Sequence, residues 1–263
     1  MKIVVIGGTG LIGSKVVTKL TEQGHEAVPA SPRLGVNTMT GEGLAEALDG
    51  ASAVVDVSNS ANFEYLTALE FFATSTHNLL VAEAAAGVDH HIALSVVGTQ
   101  ELSEGGDLTK TTAGYFLAKL VEEALIRTSG IPYSIVHATQ FFEFIKGIAD
   151  VATDGDTVRL PPVRFQPMAA ADVAEAVGWT AARAPVNGII EVGGPETFAF
   201  DEAVRQALAA MHDTRRVIAD PAATYYGITV GERSLVPADG ASVGDIRLED
   251  WLRQSTAAPA VPA

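Results

Sequence analysis

Short runs of aliphatic and β-branched residues alternate along this chain with longer stretches whose apolar positions recur at helical spacing. Residues 3–6, 27–29, 53–57, 91–97 and 133–137 have the length and apolar density of buried strands, whereas 11–23, 42–48, 65–86 and 113–129 carry the helical period. A βαβαβαβαβ order predicts the α/β class with a doubly wound parallel sheet, because right-handed crossovers return each strand beside an earlier one. Gly24, Gly50, Gly87 and Gly130 stand just beyond the four helical stretches, where C-terminal caps belong. Beyond Ala138 the rhythm changes. Pro161, Pro162 and Pro167 predict an irregular extended stretch before a helix beginning near Ala170 or Asp172, and a strand at 188–192 precedes Gly193, Gly194 and Pro195. That strand rejoins the sheet, and a helix at 201–211 follows. The chain thus divides into residues 1–140, to which 188–192 returns, and a smaller interleaved C-terminal lobe, mostly 141–263. The Ala/Pro-rich tail 256–263 is expected to fray.

With 263 residues, 48% of them hydrophobic and 19% charged, the chain has ample material for a core. Seventeen Lys and Arg stand against 32 Asp and Glu, a net charge of −15, and no basic cluster interrupts the deficit. Binding to nucleic acid or to an anionic membrane through phosphate neutralisation is therefore excluded. The absence of cysteine removes disulfides, zinc thiolates, iron–sulfur clusters and thiol catalysis. No apolar stretch approaches the ~18 residues of a membrane span, and the first residues read as a strand and not as an export signal, so a cytoplasmic protein is expected. No metal site is expected, since the adjacent His90 and His91 would point to opposite faces of a strand. No G-x-S-x-G elbow argues for a hydrolase. Glu83, Glu122 and Glu123 read as solvated helix faces without a chemical role.

The candidate chemistry begins at Gly7-Gly8-Thr9-Gly10-Leu11-Ile12-Gly13, directly after the first strand and opening the first helix. Glycine permits the tight strand-to-helix turn, a missing Cβ at Gly10 lets backbone approach a pyrophosphate, and Gly13 lets helix pack on strand. The helix N-terminus supplies N–H groups and partial positive charge for the anion. This context makes the predicted sheet Rossmann-like. Where NAD-binding folds end the second strand on Asp or Glu, this chain has Ser31, Pro32 and Arg33; a hydroxyl and a guanidinium suit a 2′-phosphate, which favours NADP(H). Tyr115 and Lys119 are four apart on one helix and share a face. An ammonium beside a phenol favours phenolate, so Tyr115 is expected to have a lowered pKa and to donate its proton to a carbonyl oxygen as hydride reaches the carbon. Phe141, Phe142, Phe144 and Ile145 follow the strand at 133–137, where open sheets bind ligands, and either wall a substrate pocket or bury against the C-terminal lobe.

GGTGLIG at Gly7–Gly13, the YFLAK segment and the run SGIPYSIVHATQFF together resemble the atypical short-chain dehydrogenase/reductases, specifically their NmrA-like, NAD(P)-binding group. The resemblance covers residues 1 to about 200. It implies an NADP-binding Rossmann domain with a small substrate lobe, in which Gly7, Thr9, Gly10, Leu11 and Ile12 surround pyrophosphate and Ser31 and Arg33 meet the 2′-phosphate. It further places Ser58 and Asn59 in a cofactor loop, Lys119 on the nicotinamide ribose, and Ala138, Thr139, Gln140 and Phe141 along the nicotinamide. The sequence departs from extended relatives at Phe72, six residues before Asn78, where they carry Asn. Ser95 stands one or two residues before the catalytic Ser/Thr position, which Val96 and Val97 fill, and His137 replaces an Arg common in NmrA-like proteins. The expected function is an NADPH-dependent oxidoreductase of a small, mostly apolar carbonyl compound or quinone, with Tyr115, Lys119 and Ser95 as its catalytic set. The alternatives are a non-catalytic NADP(H)-sensing regulator or an epimerase-type isomerase. Monomer and homodimer both remain open.

Overall fold

The computed structural model of the protein describes residues 1–257. Its first half runs β1 (Lys2–Ile6), α1 (Leu11–Glu22), β2 (Glu26–Ala30), α2 (Leu44–Leu48), β3 (Ala53–Asp56), α3 (Tyr65–Ala86), β4 (His90–Val96), α4 (Thr99–Glu104), α5 (Ala113–Thr128) and β5 (Tyr133–Ala138). The second half continues with α6 (Ile145–Val151), β6 (Thr153–Asp154), β7 (Thr157–Leu160), β8 (Arg164–Phe165), α7 (Ala170–Ala181), β9 (Gly188–Gly193), β10 (Phe198–Ala199), α8 (Phe200–Ala210), β11 (Arg216–Ala219), β12 (Ser242–Val243) and α9 (Leu248–Ala257). Seven strands form one sheet in the order β12-β9-β5-β4-β3-β1-β2, and every pairing is parallel. The α/β Rossmann-like fold is as expected, with the predicted strand at 188–192 returning beside β5.

The alternation of side chains along β1 explains the two layers. Ile3 and Val5 point to the face covered by Ile12, Val16 and Leu20 of α1 and by Val173 and Val177 of α7. Val4 and Ile6 point to the other, against Leu44, Leu48 and Leu79. Fully burying each such aliphatic is worth roughly 1.5–3 kcal/mol before entropy is set against it. A third cluster joins α3 and α5 to the C-terminal elements: Phe72, Phe116, Phe142, Phe165, Phe200 and Leu235 pack in one core. The C-terminal elements are thus welded to α3 and to α5, the helix that carries Tyr115 and Lys119, while α7 packs beside α1.

The helix expected at 42–48 begins only at Leu44, because Gly41 and Gly43 take positive φ and a Cβ at Gly43 would meet the Gly35 carbonyl oxygen at 2.2 Å. The four glycines expected as caps all have positive φ. The short elements α4, α6, β6–β8, β10–β12 and the terminal α9 were not anticipated; of these α4, α6 and most of the strands are too short to carry a period. Thr256 and Ala257 of the expected frayed tail close α9, and the remainder, 258–263, lies outside the described residues.

Candidate functional site

The turn between β1 and α1 is closed by backbone alone. Gly7 N–H donates to the Ala30 carbonyl at 3.0 Å, Gly8 N–H to that of Val5 at 3.0 Å, and Gly10 N–H to that of Gly7 at 2.9 Å. Gly7 has φ +77°, and a Cβ at Gly13 would lie 2.2 Å from the Gly7 oxygen, so glycine is required at both. Gly10 precedes α1 and has no side chain with which to cap it. The first amides of α1 therefore face outward at the C-terminal edge of the sheet, an anion-binding arrangement.

A cavity of about 760 Å³ opens at this edge, within the roughly 300–1,000 Å³ of ligand pockets. Gly7, Thr9, Gly10, Leu11, Ile12, Ser31, Ser58, Asn59, Ser95, Tyr115, Lys119, Ala138, Thr139, Gln140 and Phe141 all border it, so the structure brings together every site residue singled out above except Arg33. Arg33 is exposed in a single 3-10 turn, Pro32–Leu34, outside that lining. Ser31 Oγ and Thr139 Oγ1 are buried and have no hydrogen-bond partner among the described residues. A glycine cradle at one end of the cavity and two orphaned hydroxyls along it are what a dinucleotide would complete, and the residues present fit one. Periodicity gave no sign of the wall at Val36, Asn37, Thr38 and Met39, where the Asn78 amide donates to the carbonyls of Thr38 (2.8 Å) and Met39 (3.1 Å). Nor did it indicate Tyr225 and Tyr226, which reach the far end from more than 100 residues downstream.

At that far end the Tyr115 hydroxyl donates to Asn59 Oδ1 at 3.1 Å, and its ring packs edge-on against Phe63, Phe72 and Phe116. The expectation of a lowered phenol is corrected. Burial pushes Tyr115 above its ordinary value, and the opposing pull of Lys119 does not overcome it. Lys119 Nζ donates to the Leu94 carbonyl at 2.9 Å, pairs with Glu122, and lies 4.4 Å from the centre of the Phe72 ring. Phe72, in place of the Asn of extended relatives, thus offers the ammonium a π face. Ser95 borders the cavity, but its hydroxyl donates to Glu123 Oε1 at 2.6 Å. The aromatic run after β5 divides its labour: Phe141 and Phe144 stack with centroids 5.4 Å apart beside the cavity, while Phe142 and Ile145 sit in the lobe core.

The reading of Glu83, Glu122 and Glu123 as solvated faces is overturned. All three are buried, with 0%, 3% and 1% exposure, because α3 and α5 pack on each other and their side chains reach His91, Leu94 and Ser95 of β4. Each has a cationic or protonatable partner: Glu83 holds His91 Nδ1 at 2.8 Å, Glu122 holds Lys119, and Glu123 holds His137 Nε2 at 2.8 Å together with Arg127. Burial raises Glu83 and pushes Glu122 up to about 7. Glu123 lies below the usual carboxylate range because its bonds from His137 and Ser95 and the Arg127 charge outweigh its burial. His137, which replaces the expected Arg, supplies part of that partner set. The signal available in sequence was a Glu three residues after Lys119 on the face that carries Tyr115, which is a buried face.

A family profile described as NAD(P)H-binding matches residues 7–182. No curated protein matches the sequence. Among solved structures, a short-chain dehydrogenase/reductase superfamily protein from Agrobacterium tumefaciens with bound NAD aligns at 17% identity and TM-score 0.72, covering 97% of this chain and 96% of its own. The dTDP-4-dehydrorhamnose reductase from Bacillus anthracis in complex with NADP aligns at 13% identity and TM-score 0.66, over 96% and 97%. UDP-N-acetylglucosamine 4-epimerase from Bacillus cereus aligns at 18% and 0.60, over 84% and 88%. These likenesses establish the fold. With its glycine turn and matched profile, the chain belongs to the NAD(P)H-binding family, in the fold of the short-chain dehydrogenase/reductases.

Proposed function

We propose that this protein is an NADPH-dependent reductase of a small, mostly apolar carbonyl compound or quinone, with Tyr115 as the proton donor. The observation that carries this reading is the composition of the cavity's far end. Phe63, Phe71, Phe116, Phe144, Tyr225 and Tyr226 line it, and the charged side chains bordering the whole cavity are Lys119 and Glu143. Glu143 is itself engaged, accepting the α7 amide of Ala170 and the indole N–H of Trp251. A sugar nucleotide would bring a second diphosphate, for which this wall has no guanidinium, whereas a flat or aliphatic carbonyl compound matches aromatic faces.

In this reading the amides opening α1 hold pyrophosphate, Ser31 meets the adenosine ribose or its phosphate, and Lys119 reaches the nicotinamide ribose. Arg33 meets the 2′-phosphate only by swinging inward from its exposed turn. Thr139 and Gln140 orient the ring, with Ala138 and Phe141 beside it, and Ser58 and Asn59 close the loop over β3. When bound, a dihydronicotinamide would supply the hydride needed at the carbonyl carbon. Tyr115 gives its hydroxyl proton to the carbonyl oxygen as charge develops there, turning it from the neutral amide oxygen of Asn59 that accepts it in the unliganded protein. The phenol's raised pKa keeps it protonated and ready to donate across neutral pH. Ser95 is left out of the proton-transfer set because its hydroxyl serves Glu123.

Purified protein is expected to oxidise NADPH with members of a panel of quinones and small apolar aldehydes or ketones. Tyr115→Phe is expected to lower kcat by ~10²–10⁴-fold while calorimetry still records NADPH binding. A variant that keeps full turnover removes Tyr115 from the mechanism. A second reading, a dinucleotide sensor without turnover, draws support from the engaged Ser95 hydroxyl and from Phe72. It predicts NADPH binding with no oxidation across the whole panel.

A further inference from the structure

Tyr115, Lys119 and Glu122 occupy one face of α5 at i, i+4 and i+7, so the Lys119 ammonium lies between a phenol and a carboxylate. The side chains of Lys119 and Glu122 are 3% and 4% exposed, so bulk solvent screens their interaction little although Lys119 borders the cavity. The ammonium also rests on the Leu94 carbonyl and the Phe72 ring, which orient it without neutralising it. Glu122, in its carboxylate form, does neutralise it. A lone lysine at this place would draw the proton off the phenol; one whose charge is balanced from the other side does so much less.

We propose that Glu122 is a positioning residue of the proton-donating site: its carboxylate fixes the Lys119 ammonium and sets how much of that charge reaches the Tyr115 hydroxyl. The inference rests on the reading of Tyr115 as the donor and deepens it, since a phenol kept in its protonated form favours reduction over the reverse oxidation. Other charged groups face this trio from each packed element. Asp56 lies at the end of β3, Glu83 on α3 and His91 on β4, and Glu83 and His91 pair with each other at 2.8 Å. Asp56 and Glu122 both add negative charge beside Lys119, but Glu122 alone is in contact with its ammonium.

The sign of the effect is fixed. Glu122 raises Tyr115 and Lys119 lowers it, so removing the carboxylate while keeping the lysine must move the phenol downward. The test is a spectrophotometric phenolate titration of the unliganded protein, up to the alkaline unfolding edge recorded by circular dichroism. Tyr115→Phe counterparts identify the Tyr115 contribution among the five tyrosines. Glu122→Gln is expected to bring a Tyr115 phenolate step into view about one pH unit or more below its position in the unmodified protein, and to move the alkaline limb of kcat/KM down with it. A folded Glu122→Gln protein with no displaced step overturns the proposal. If that variant does not fold, Glu122→Asp, which keeps the charge but draws it back by one methylene, is titrated in the same way; a smaller downward step supports the proposal and none overturns it. The titration needs no turnover. A displaced step in a protein whose Tyr115→Phe form is fully active would retain the coupling and discard the donor role, whereas an inactive Tyr115→Phe form with an undisplaced step would do the opposite.

Discussion

Ser31 directly follows β2, with its hydroxyl buried and unpartnered at the rim of the cavity, on the side where the adenosine ribose is proposed to lie. Ser31→Asp would set a carboxylate there and repel a 2′-phosphate, so the ratio of NADPH to NADH affinity is expected to fall at least about tenfold, or ~1.4 kcal/mol, in a fluorescence titration. An unchanged ratio would take Ser31 out of the discrimination. The glycines, Tyr115 and Lys119 were legible as individual residues because each belongs to a local geometry that spacing encodes. Glu83, Glu122 and Glu123 were not, because a glutamate on a helix gives no sign of being buried until the partner that compensates it is in view. His91 and His137 come from strands, and only the packing of α3 and α5 on β4 and β5 brings them to those carboxylates.

The helices that glycine terminates were readable nearly to the residue. Gly24, Gly50, Gly87 and Gly130 adopt left-handed backbone, and α3 spans the residues its period indicated. Helix α8 ends differently. His212 follows its last turn at φ +58°, exposed, with its N–H on the Ala209 carbonyl, in a conformation that suits glycine. His212→Gly is expected to stabilise the protein by about 0.5–1 kcal/mol in chemical denaturation, and a loss of stability would contradict the assignment of strain there. The turn bearing Tyr225 and Tyr226 escaped sequence reading for another reason. Tyr225 and Ile228 bridge to each other, and Thr112 N–H, at the start of α5, donates to the Tyr226 carbonyl at 3.3 Å. A two-residue turn without Asn or Asp at its first position has no local signature, and its place at the cavity is set by contacts more than 100 residues away in sequence.

Two buried groups pull the stability of the whole chain in opposite directions with pH. His90 is buried on Ser134, and desolvation lowers it from 6.5 to about 4. Its contribution is complete above pH 6.5 and is lost as pH falls towards 4. Glu122, raised to about 7, contributes most below its unfolded value of 4.5, and that contribution is lost as pH rises through 7. Comparison with His90→Gln, which keeps a polar group opposite Ser134, isolates the first. Between pH 7 and 4 the unmodified protein is expected to lose about 2 kcal/mol relative to the variant, allowing for partial hydration of the ring, at ~1.4 kcal/mol for each pH unit between the two values. Parallel stability curves from urea denaturation would show that His90 does not carry the acid sensitivity.

The order of strands in the sheet bears on how this chain is made. β5 takes its second neighbour from β9, and β9 takes part of its own from β12, so the central sheet closes only with residues near position 243. On a ribosome, a nascent polypeptide that has just released β5 therefore presents a raw hydrogen-bonding edge, with Ile135 and Val136 at its centre, throughout synthesis of the next fifty residues. An open strand edge during that interval is a direct outcome of placing β9 beyond α6 and α7 in the chain.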